Sequence, residues 1–143
     1  MNGSARAVWA KTRVLVWPER YVLASLELAD LSAASALVVR QGAGFAALVV
    51  ERDEVSVTVL ESLWQASGLT ARALDGPFRA LTLDVNIDLS VCGYMAPLAV
   101  RLAEAGVSII PQCAYLKDHL LIHERNIERA VAEVERMIRE ANA

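Results

Sequence analysis

The sequence is poor in the residues that build disulfide frameworks, metal centres and aromatic cores. Its two cysteines, Cys92 and Cys113, are too few for a disulfide scaffold and lack the paired spacing of zinc ligands. We expect both to be free, buried thiols. Aromatic residues make up only 6% of the chain. The core must therefore consist mainly of Leu, Val, Ile and Ala, which suits helices packed on a sheet.

Long apolar runs and clustered positive charge are also lacking. Hydrophobic residues make up 55% of the sequence, but the longest uncharged apolar runs, such as residues 89–100, fall short of the roughly 20 residues of a membrane helix. A net charge of -3 and no basic face argue against nucleic-acid binding. Residues 1–12 hold no apolar run of signal-peptide length. We expect a soluble, cytoplasmic protein with neither a membrane nor a nucleic-acid partner.

Motifs for catalysis, metal binding and phosphate binding are missing. Residues 42–44 read Gly-Ala-Gly but lack the lysine and helix start of a phosphate loop. His119 and His123 lie four apart in a predicted strand, without a third ligand nearby. Cys92 has no histidine close in sequence to activate it. We therefore expect no enzyme, no cofactor and no metal site.

The second half of the sequence begins with a strand, a glycine-containing loop and a helix. Alternating residues predict a strand over 78–84. The loop over 88–93 leads to a helix that starts near Gly93 or Tyr94, because Pro97 suits a first helical turn. Because the first amides of a helix have no intrahelical acceptor, we expect this loop to present free amides.

A hairpin and a last helix follow. Residues 107–115 are predicted to form a strand, and Pro111 favours an edge position because it cannot donate to a sheet. A turn over 116–118 returns the chain as a short, buried strand over 119–123. Asn126 is predicted to cap the last helix, whose apolar residues recur at helical spacing.

The first half contains more strands than one module of this kind needs. The predicted elements are strands over 12–17 and 21–28, a helix over 31–40, a hairpin of strands over 45–50 and 55–60, a short helix over 61–66, and a strand over 69–74. We expect Asp75-Gly76-Pro77 to break the chain. Residues 21–74 alone give strand, helix, strand, strand, helix, strand. The strand over 12–17 is then in surplus.

The surplus strand matches a strand that the second half lacks. We therefore predict an α+β fold of two ferredoxin-like βαββαβ modules, with the N-terminal strand completing the second. The first module covers 18–76, and the second covers 77–143 together with strand 12–17. Such an exchange would prevent the chain from being divided near Gly76.

The second half also resembles a known family. Gly93, residues 97–109, Tyr115, Asp118 and Leu121 resemble the ACT domain in a small tandem form, which also occurs in the cellular arginine sensor and in short bacterial proteins. This resemblance implies a non-catalytic, allosteric regulatory protein that binds an amino acid at the module interface. Exposed sheet edges commonly pair, so a homodimer is expected.

The residue chemistry suggests where such an effector would bind. Backbone amides at a helix start carry partial positive charge and can hold a carboxylate, while Asp118 is suited to an ammonium group. Carried over from the resemblance, the predicted ligand-binding residues are Asp88, Ser90, Val91, Cys92, Gly93, Tyr115, Lys117 and Asp118. From local sequence alone, Gly93 serving only helix packing and Asp118 only shaping a turn remains the alternative.

The hairpin departs from the family pattern and leaves the effector open. Residues 113–115 read Cys-Ala-Tyr where the family tends to have Ser-Thr-Tyr, and Lys117 replaces a threonine before Asp118. Lys117 could neutralise Asp118 or favour an acidic ligand, so a basic amino acid does not follow from the sequence. The alternative function is a structural interaction domain without a ligand.

Overall fold

A computed structural model describes all 143 residues of the chain. The chain divides into two compact units, a first unit of Met1–Val16 and Leu81–Ala143, and a second unit of Trp17–Ala80. The helices and strands are, in order, α1 (Gly3–Trp9), β1 (Arg13–Val16), β2 (Tyr21–Leu26), α2 (Leu31–Gln41), β3 (Ala47–Val50), β4 (Val55–Leu60), α3 (Glu61–Ser67), β5 (Ala73–Asp84), α4 (Met95–Glu104), β6 (Ile110–Pro111), β7 (Asp118–His123) and α5 (Ile127–Asn142).

The second unit is an antiparallel sheet with two helices against it. Its strands lie in the order β3, β4, β2, β5. Every second residue of β2 and β4 is buried, as expected for strands with one covered face. These residues pack with α2 and α3 in one cluster of Val22, Ala24, Leu26, Ala34, Leu37, Val55, Val57, Val59 and Trp64.

The predicted break at residues 75–77 is wrong, because β5 runs unbroken through them. Tyr21 of β2 pairs with Phe78, but Leu23 pairs with Asp75, so β5 carries one extra residue here. Such a bulge interrupts the hydrogen-bond ladder and accommodates a proline that has no amide to donate. Gly76 takes a φ of 148° at this point. A Gly-Pro pair therefore bends the strand instead of ending it.

The first unit contains the other end of β5 and the N-terminal strand. β1 pairs antiparallel with β5, from Arg13 opposite Asp84 to Val16 opposite Leu81. On the sheet path, β7 lies between β5 and β6. The edge position predicted for the strand with Pro111 is confirmed, although β6 is much shorter than residues 107–115. Beyond β6 the hairpin continues with isolated hydrogen bonds, including the one from the Gln112 amide to the His119 carbonyl.

Three helices supply the rest of the core of the first unit. α4 and α5 follow the predicted helical spacing, and Arg101 joins them by a bidentate hydrogen bond to Glu140. α1 was not predicted from the sequence. Buried residues from all these elements form one cluster of Trp9, Leu81, Leu83, Tyr94, Leu98, Leu102, Val107, Leu120, Ile122, Ile127, Ala130, Val134, Met137 and Ala141.

Helix capping differs from the prediction in one respect. Asn126 occupies the N-cap position of α5, and Asp30 that of α2, but neither side chain caps its helix. A short 3₁₀ turn precedes each helix, so both residues have a ψ near zero instead of the extended backbone of an N-cap. Asn2 is extended, and its side chain accepts the Ala5 amide at the start of α1. None of the helices has both the length and the apolar character needed to cross a bilayer.

Candidate ligand-binding site

A cavity of about 350 Å³ lies in the first unit, between the loop that precedes α4 and the turn that joins β6 to β7. The loop contributes residues within 87–96, and the turn contributes residues 113–118. The Ile87 amide donates to the Leu116 carbonyl at 2.9 Å and holds the two walls together. The volume lies at the lower end of the range for small-molecule sites, roughly 300–1,000 Å³.

The first part of the loop is closed by its own hydrogen bonds. The Asp88 carboxylate accepts from the Ser90 amide at 2.8 Å and from the Ser90 hydroxyl at 2.6 Å. These two bonds, the hydroxyl contributing most, lower the pKa of Asp88. The Val91 amide donates to the Asp88 carbonyl. The amides of Ser90 and Val91 are thus already used, so this part of the loop does not present the free amides expected from the sequence.

The second part of the loop has amides without an acceptor in the protein. Gly93 has a φ of +82°, which favours glycine. A Cβ at this position would meet only the side-chain Nδ2 of Asn2 within 4 Å. Neither the Cys92 nor the Gly93 amide donates a hydrogen bond to the protein. Tyr94 is the N-cap of α4 and provides no side-chain cap. The start of α4 therefore leaves donors for an anion.

Helix α1 and its N-cap residue Asn2 hold this part of the loop by side-chain hydrogen bonds. Asn2 Nδ2 donates to the Cys92 carbonyl and Trp9 Nε1 to the Tyr94 carbonyl, both at 2.9 Å. The Trp9 and Tyr94 rings stack with centroids 4.6 Å apart, and the Tyr94 hydroxyl lies 2.8 Å from Thr12 Oγ1. Burial raises the pKa of Tyr94 well above its usual value. These supports were missed from the sequence, although Asn2 in N-cap position before Ala5 was a usable signal.

The hairpin wall contains an ion pair that the sequence did not reveal. Lys117 Nζ lies 2.5 Å from the carboxylate of Asp84 at the end of β5. Arg13 donates to the same carboxylate at 2.8 Å. The Lys117 hydrogen bond is the main cause that lowers the pKa of Asp84. The hypothesis that Lys117 neutralises Asp118 is therefore wrong, because Lys117 is paired with Asp84.

The expectation of buried thiols is also wrong, since Cys92 and Cys113 are both exposed. Cys113 lines the cavity beside Asp118. Although the residue is exposed, its sulfur is partly desolvated, and this desolvation is the main cause that raises the pKa of the Cys113 thiol to about 11. A hydrogen bond to Asp118 and the negative charge of Asp118 raise it further. The thiol is therefore protonated near neutral pH and is a poor nucleophile.

The structure brings six of the eight predicted site residues to the cavity wall. They are Asp88, Val91, Gly93, Tyr115, Lys117 and Asp118. Ser90 and Cys92 do not line it; Ser90 is bonded to Asp88, and the Cys92 carbonyl accepts from Asn2. The apolar walls were not predicted from the sequence; Ile87, Leu89, Met95 and Leu116 contribute to them. Apolar residues in a loop carry no sequence signal that separates a cavity wall from a core contact.

His119 lies half-buried on β7. His119 Nδ1 lies 2.8 Å from the Thr82 hydroxyl on the neighbouring strand. Its half-buried position lowers its pKa, and the burial is the largest cause. No group of three or more His, Cys, Asp or Glu side chains in the chain is placed to hold a metal ion.

Part of the chain is similar to a known family of domains. Residues 74–135 match the family model described as the ACT domain. These residues include both walls of the cavity, β7 and much of α5. No curated protein matches the sequence.

Solved structures show a similar fold. A protein of unknown function from Vibrio cholerae, described as a possible transport protein, is 20% identical with a TM-score of 0.71, covering 94% of this chain and 96% of its own. A protein from Agrobacterium tumefaciens is 17% identical with a TM-score of 0.68, covering 89% of each chain. The regulatory subunit of aspartate kinase from Thermus flavus is 14% identical with a TM-score of 0.63, covering 87% of this chain and 95% of its own. These similarities establish an ACT-like α+β fold.

Proposed function

We propose that this protein is a non-catalytic regulatory protein that binds an amino-acid-like effector in the cavity beside Gly93. The observation that carries the proposal is the cavity itself, which opens between a helix start with free amides and a hairpin that carries Asp118. It lies within the residues that match the ACT domain.

The two walls offer complementary groups to a zwitterion. The Gly93 amide is unbonded and lies in the cavity wall at the start of α4, where the helix dipole favours a carboxylate. Asp118 on the opposite wall presents a carboxylate that an ammonium group can approach. The Cys113 thiol is protonated at neutral pH, which supports a binding role over nucleophilic catalysis.

A regulatory role is supported by the fold. The structure from Thermus flavus is named as a regulatory subunit of an aspartate kinase, and its fold is similar over most of both chains. We propose that the effector acts by binding one association state more tightly than another. A homodimer is the proposed assembly, with β3 and β6 as the sheet edges available for pairing.

The tandem arrangement belongs to the same proposal. Two ferredoxin-like modules, the second completed by the N-terminal strand, account for the antiparallel pairing of β1 with β5. The resemblance to the arginine sensor, the ligand position between modules and the cytoplasmic location stay predictions. The cavity described above is formed by residues of the first unit alone.

A thermal-shift screen of the full-length protein against the twenty amino acids tests this function. Selective binding to the folded state raises its melting temperature, by an amount that grows with ligand concentration. We expect at least one amino acid to stabilise the protein in this way. The absence of any stabilising amino acid would support the structural domain instead.

The Gly93→Asp variant tests whether the loop is the site. Aspartate tolerates a positive φ better than most residues, and a negative charge suits a helix start, so the fold should survive. The same charge repels the carboxylate of the effector and should abolish its thermal shift. Gly106→Asp is the matched control, because Gly106 has a φ of +70° beyond the other end of α4. Loss of the shift in both variants, or in neither, would remove the loop from the site.

A further inference from the structure

Three charged side chains line the cavity: Asp88, Lys117 and Asp118. Asp88 accepts two hydrogen bonds from Ser90, and Lys117 is paired with Asp84. Asp118 lies in the cavity wall with Cys113 and has neither an ion pair nor a hydroxyl or amide donor within the protein. Of the two carboxylates, Asp118 is therefore the better partner for a ligand cation.

Lys117 is the only cation in the cavity wall, and its charge is compensated outside the cavity. Asp84 stays ionised to an unusually low pH, since Lys117 and Arg13 both lower its pKa. Lys117, the only one of these two cations that lines the cavity, already has a carboxylate partner, so no unpaired cation faces a second carboxylate on the ligand. An acidic side chain would instead face the carboxylates of Asp88 and Asp118, which costs Coulomb energy.

The remaining wall is apolar and partly open to water. Ile87, Val91 and Met95 pack against the core of the first unit while lining the cavity. Leu89 and Leu116 lie at the same cavity with 70% and 51% of their surface exposed. A ligand with an apolar side chain would remove this surface from water, which is the favourable term in binding such groups.

We propose that the ligand of this cavity is an α-amino acid with an uncharged, apolar side chain. The proposal rests on the amino-acid-binding function proposed above and specifies its ligand class. The α-carboxylate would bind the Gly93 amide at the start of α4, and the ammonium group would bind Asp118. The side chain would then pack against Leu89, Met95 and Leu116.

Isothermal titration of the full-length protein with single amino acids at pH 7.5 tests the ligand class. Leucine, isoleucine, valine, methionine and phenylalanine are compared with aspartate, glutamate, lysine and arginine. We expect the best apolar ligand to bind at least about tenfold more tightly than any charged one. Tightest binding by a charged amino acid would overturn this inference and leave the effector function intact. If none of the nine amino acids gives a heat of binding and no amino acid stabilises the protein in the thermal-shift screen, the effector function itself is overturned.

The Asp84→Asn variant tests the part played by the ion pair. Removing the carboxylate leaves Lys117 uncompensated beside the cavity, so glutamate or aspartate should bind about tenfold more tightly than to the unmodified protein. Arg13→Gln is the matched control, because it removes the other partner of Asp84 and leaves the Lys117 pair in place. We expect Arg13→Gln to keep the original preference. An unchanged exclusion of acidic ligands in Asp84→Asn would show that the pair does not set specificity.

A second variant covers the case in which Asp84→Asn fails to fold. Lys117→Met deletes the cation while keeping a long side chain in the wall. Since the proposed ligand does not use Lys117, apolar amino acids should bind within about threefold of their original affinity. Loss of apolar binding in Lys117→Met would mean that Lys117 contacts the ligand, and would overturn the inference.

Discussion

The Cys113 thiol lines the cavity and has a raised pKa. The folded protein holds the thiol proton more tightly than an ordinary thiol does. Desolvation of the sulfur, followed by the effect of Asp118, raises the pKa of Cys113 from 9.0 to about 11. A raised pKa in an acid stabilises the folded state while the group is protonated. This contribution is complete below pH 9 and is lost as the pH rises toward 11.

We expect alkylation of Cys113 to be slow and strongly pH dependent. In a Cys92→Ser background, iodoacetamide should react about tenfold more slowly at pH 8 than with an ordinary thiol, because the smaller thiolate fraction outweighs its higher nucleophilicity. The rate should still be rising at pH 10. Mass spectrometry of quenched samples measures it.

Asp118→Asn is the informative comparison for this prediction. Removing the negative charge deletes two of the causes that raise the pKa of Cys113, so the alkylation profile should move to lower pH. A plateau near pH 9 in the protein with Asp118 intact would contradict the assigned surroundings of the thiol.

Most of the predicted residues line the cavity, but their partners within the protein were not predicted. Gly93 and Asp118 could be identified because a helix start and a turn are features of short segments. The Lys117 to Asp84 pair joins residues 33 positions apart. Its existence depends on how the β6 to β7 turn lies against the end of β5, which no local pattern encodes. The sequence therefore left Lys117 with two possible roles, and its pairing with Asp84 rules out the neutralisation of Asp118.

At the scale of elements, sequence signals identified the helices with clear ends and missed the weakest one. α2 ends at Gly42 and α4 has proline in its first turn, and both were predicted. α1 is only seven residues long, so periodicity over so short a window is uninformative. Its stability comes from tertiary contacts, chiefly the buried Trp9 against Tyr94.

The bulge in β5 is the element for which the sequence prediction failed, and it makes a specific mutational prediction. A Cβ on Gly76 would lie 3.0 Å from the Tyr21 carbonyl oxygen and 3.4 Å from the Val22 Cα, in a backbone conformation that favours glycine. Gly76→Ala should therefore lower the free energy of unfolding by about 3 kcal/mol. Urea denaturation followed by circular dichroism measures the loss.

Gly68→Ala provides the control within the same unit. Gly68 also has a positive φ, of 71°, but a Cβ there would meet nothing within 4 Å. Only the backbone preference is lost, which costs about 1 kcal/mol. Equal destabilisation by the two substitutions would show that the close approach of β2 to the bulge is not important for stability.

At the scale of the whole molecule, strand counting led to a prediction that local patterns could not make. Its result was an N-terminal strand in surplus, and β1 is found paired with the end of β5 at Leu81–Asp84. The first unit is accordingly discontinuous in sequence, with Met1–Val16 and Leu81–Ala143 packed together. Counting is informative because an unpaired strand exposes its backbone groups, so a missing and a surplus strand tend to match.

This discontinuity predicts that the second unit can be excised. Val16 and Leu81 are direct partners in an antiparallel pair, so a short Asn-Gly turn can join them in place of residues 17–80. The resulting polypeptide keeps every residue that lines the cavity. We expect it to unfold cooperatively in urea and to bind the same amino acid as the full-length protein.

Tryptophan fluorescence gives the excised polypeptide a direct readout, because Trp9 would be its only tryptophan. Trp9 is fully buried, so the emission should be blue-shifted and should move to longer wavelength on unfolding. The fragment of residues 81–143 is the matched comparison, since it lacks α1 and β1 and exposes the surface of Leu83 and Tyr94 that they cover. Circular dichroism should show no cooperative transition for this fragment. If it unfolds with the same urea midpoint as the excised polypeptide, the N-terminal segment is not part of the second module.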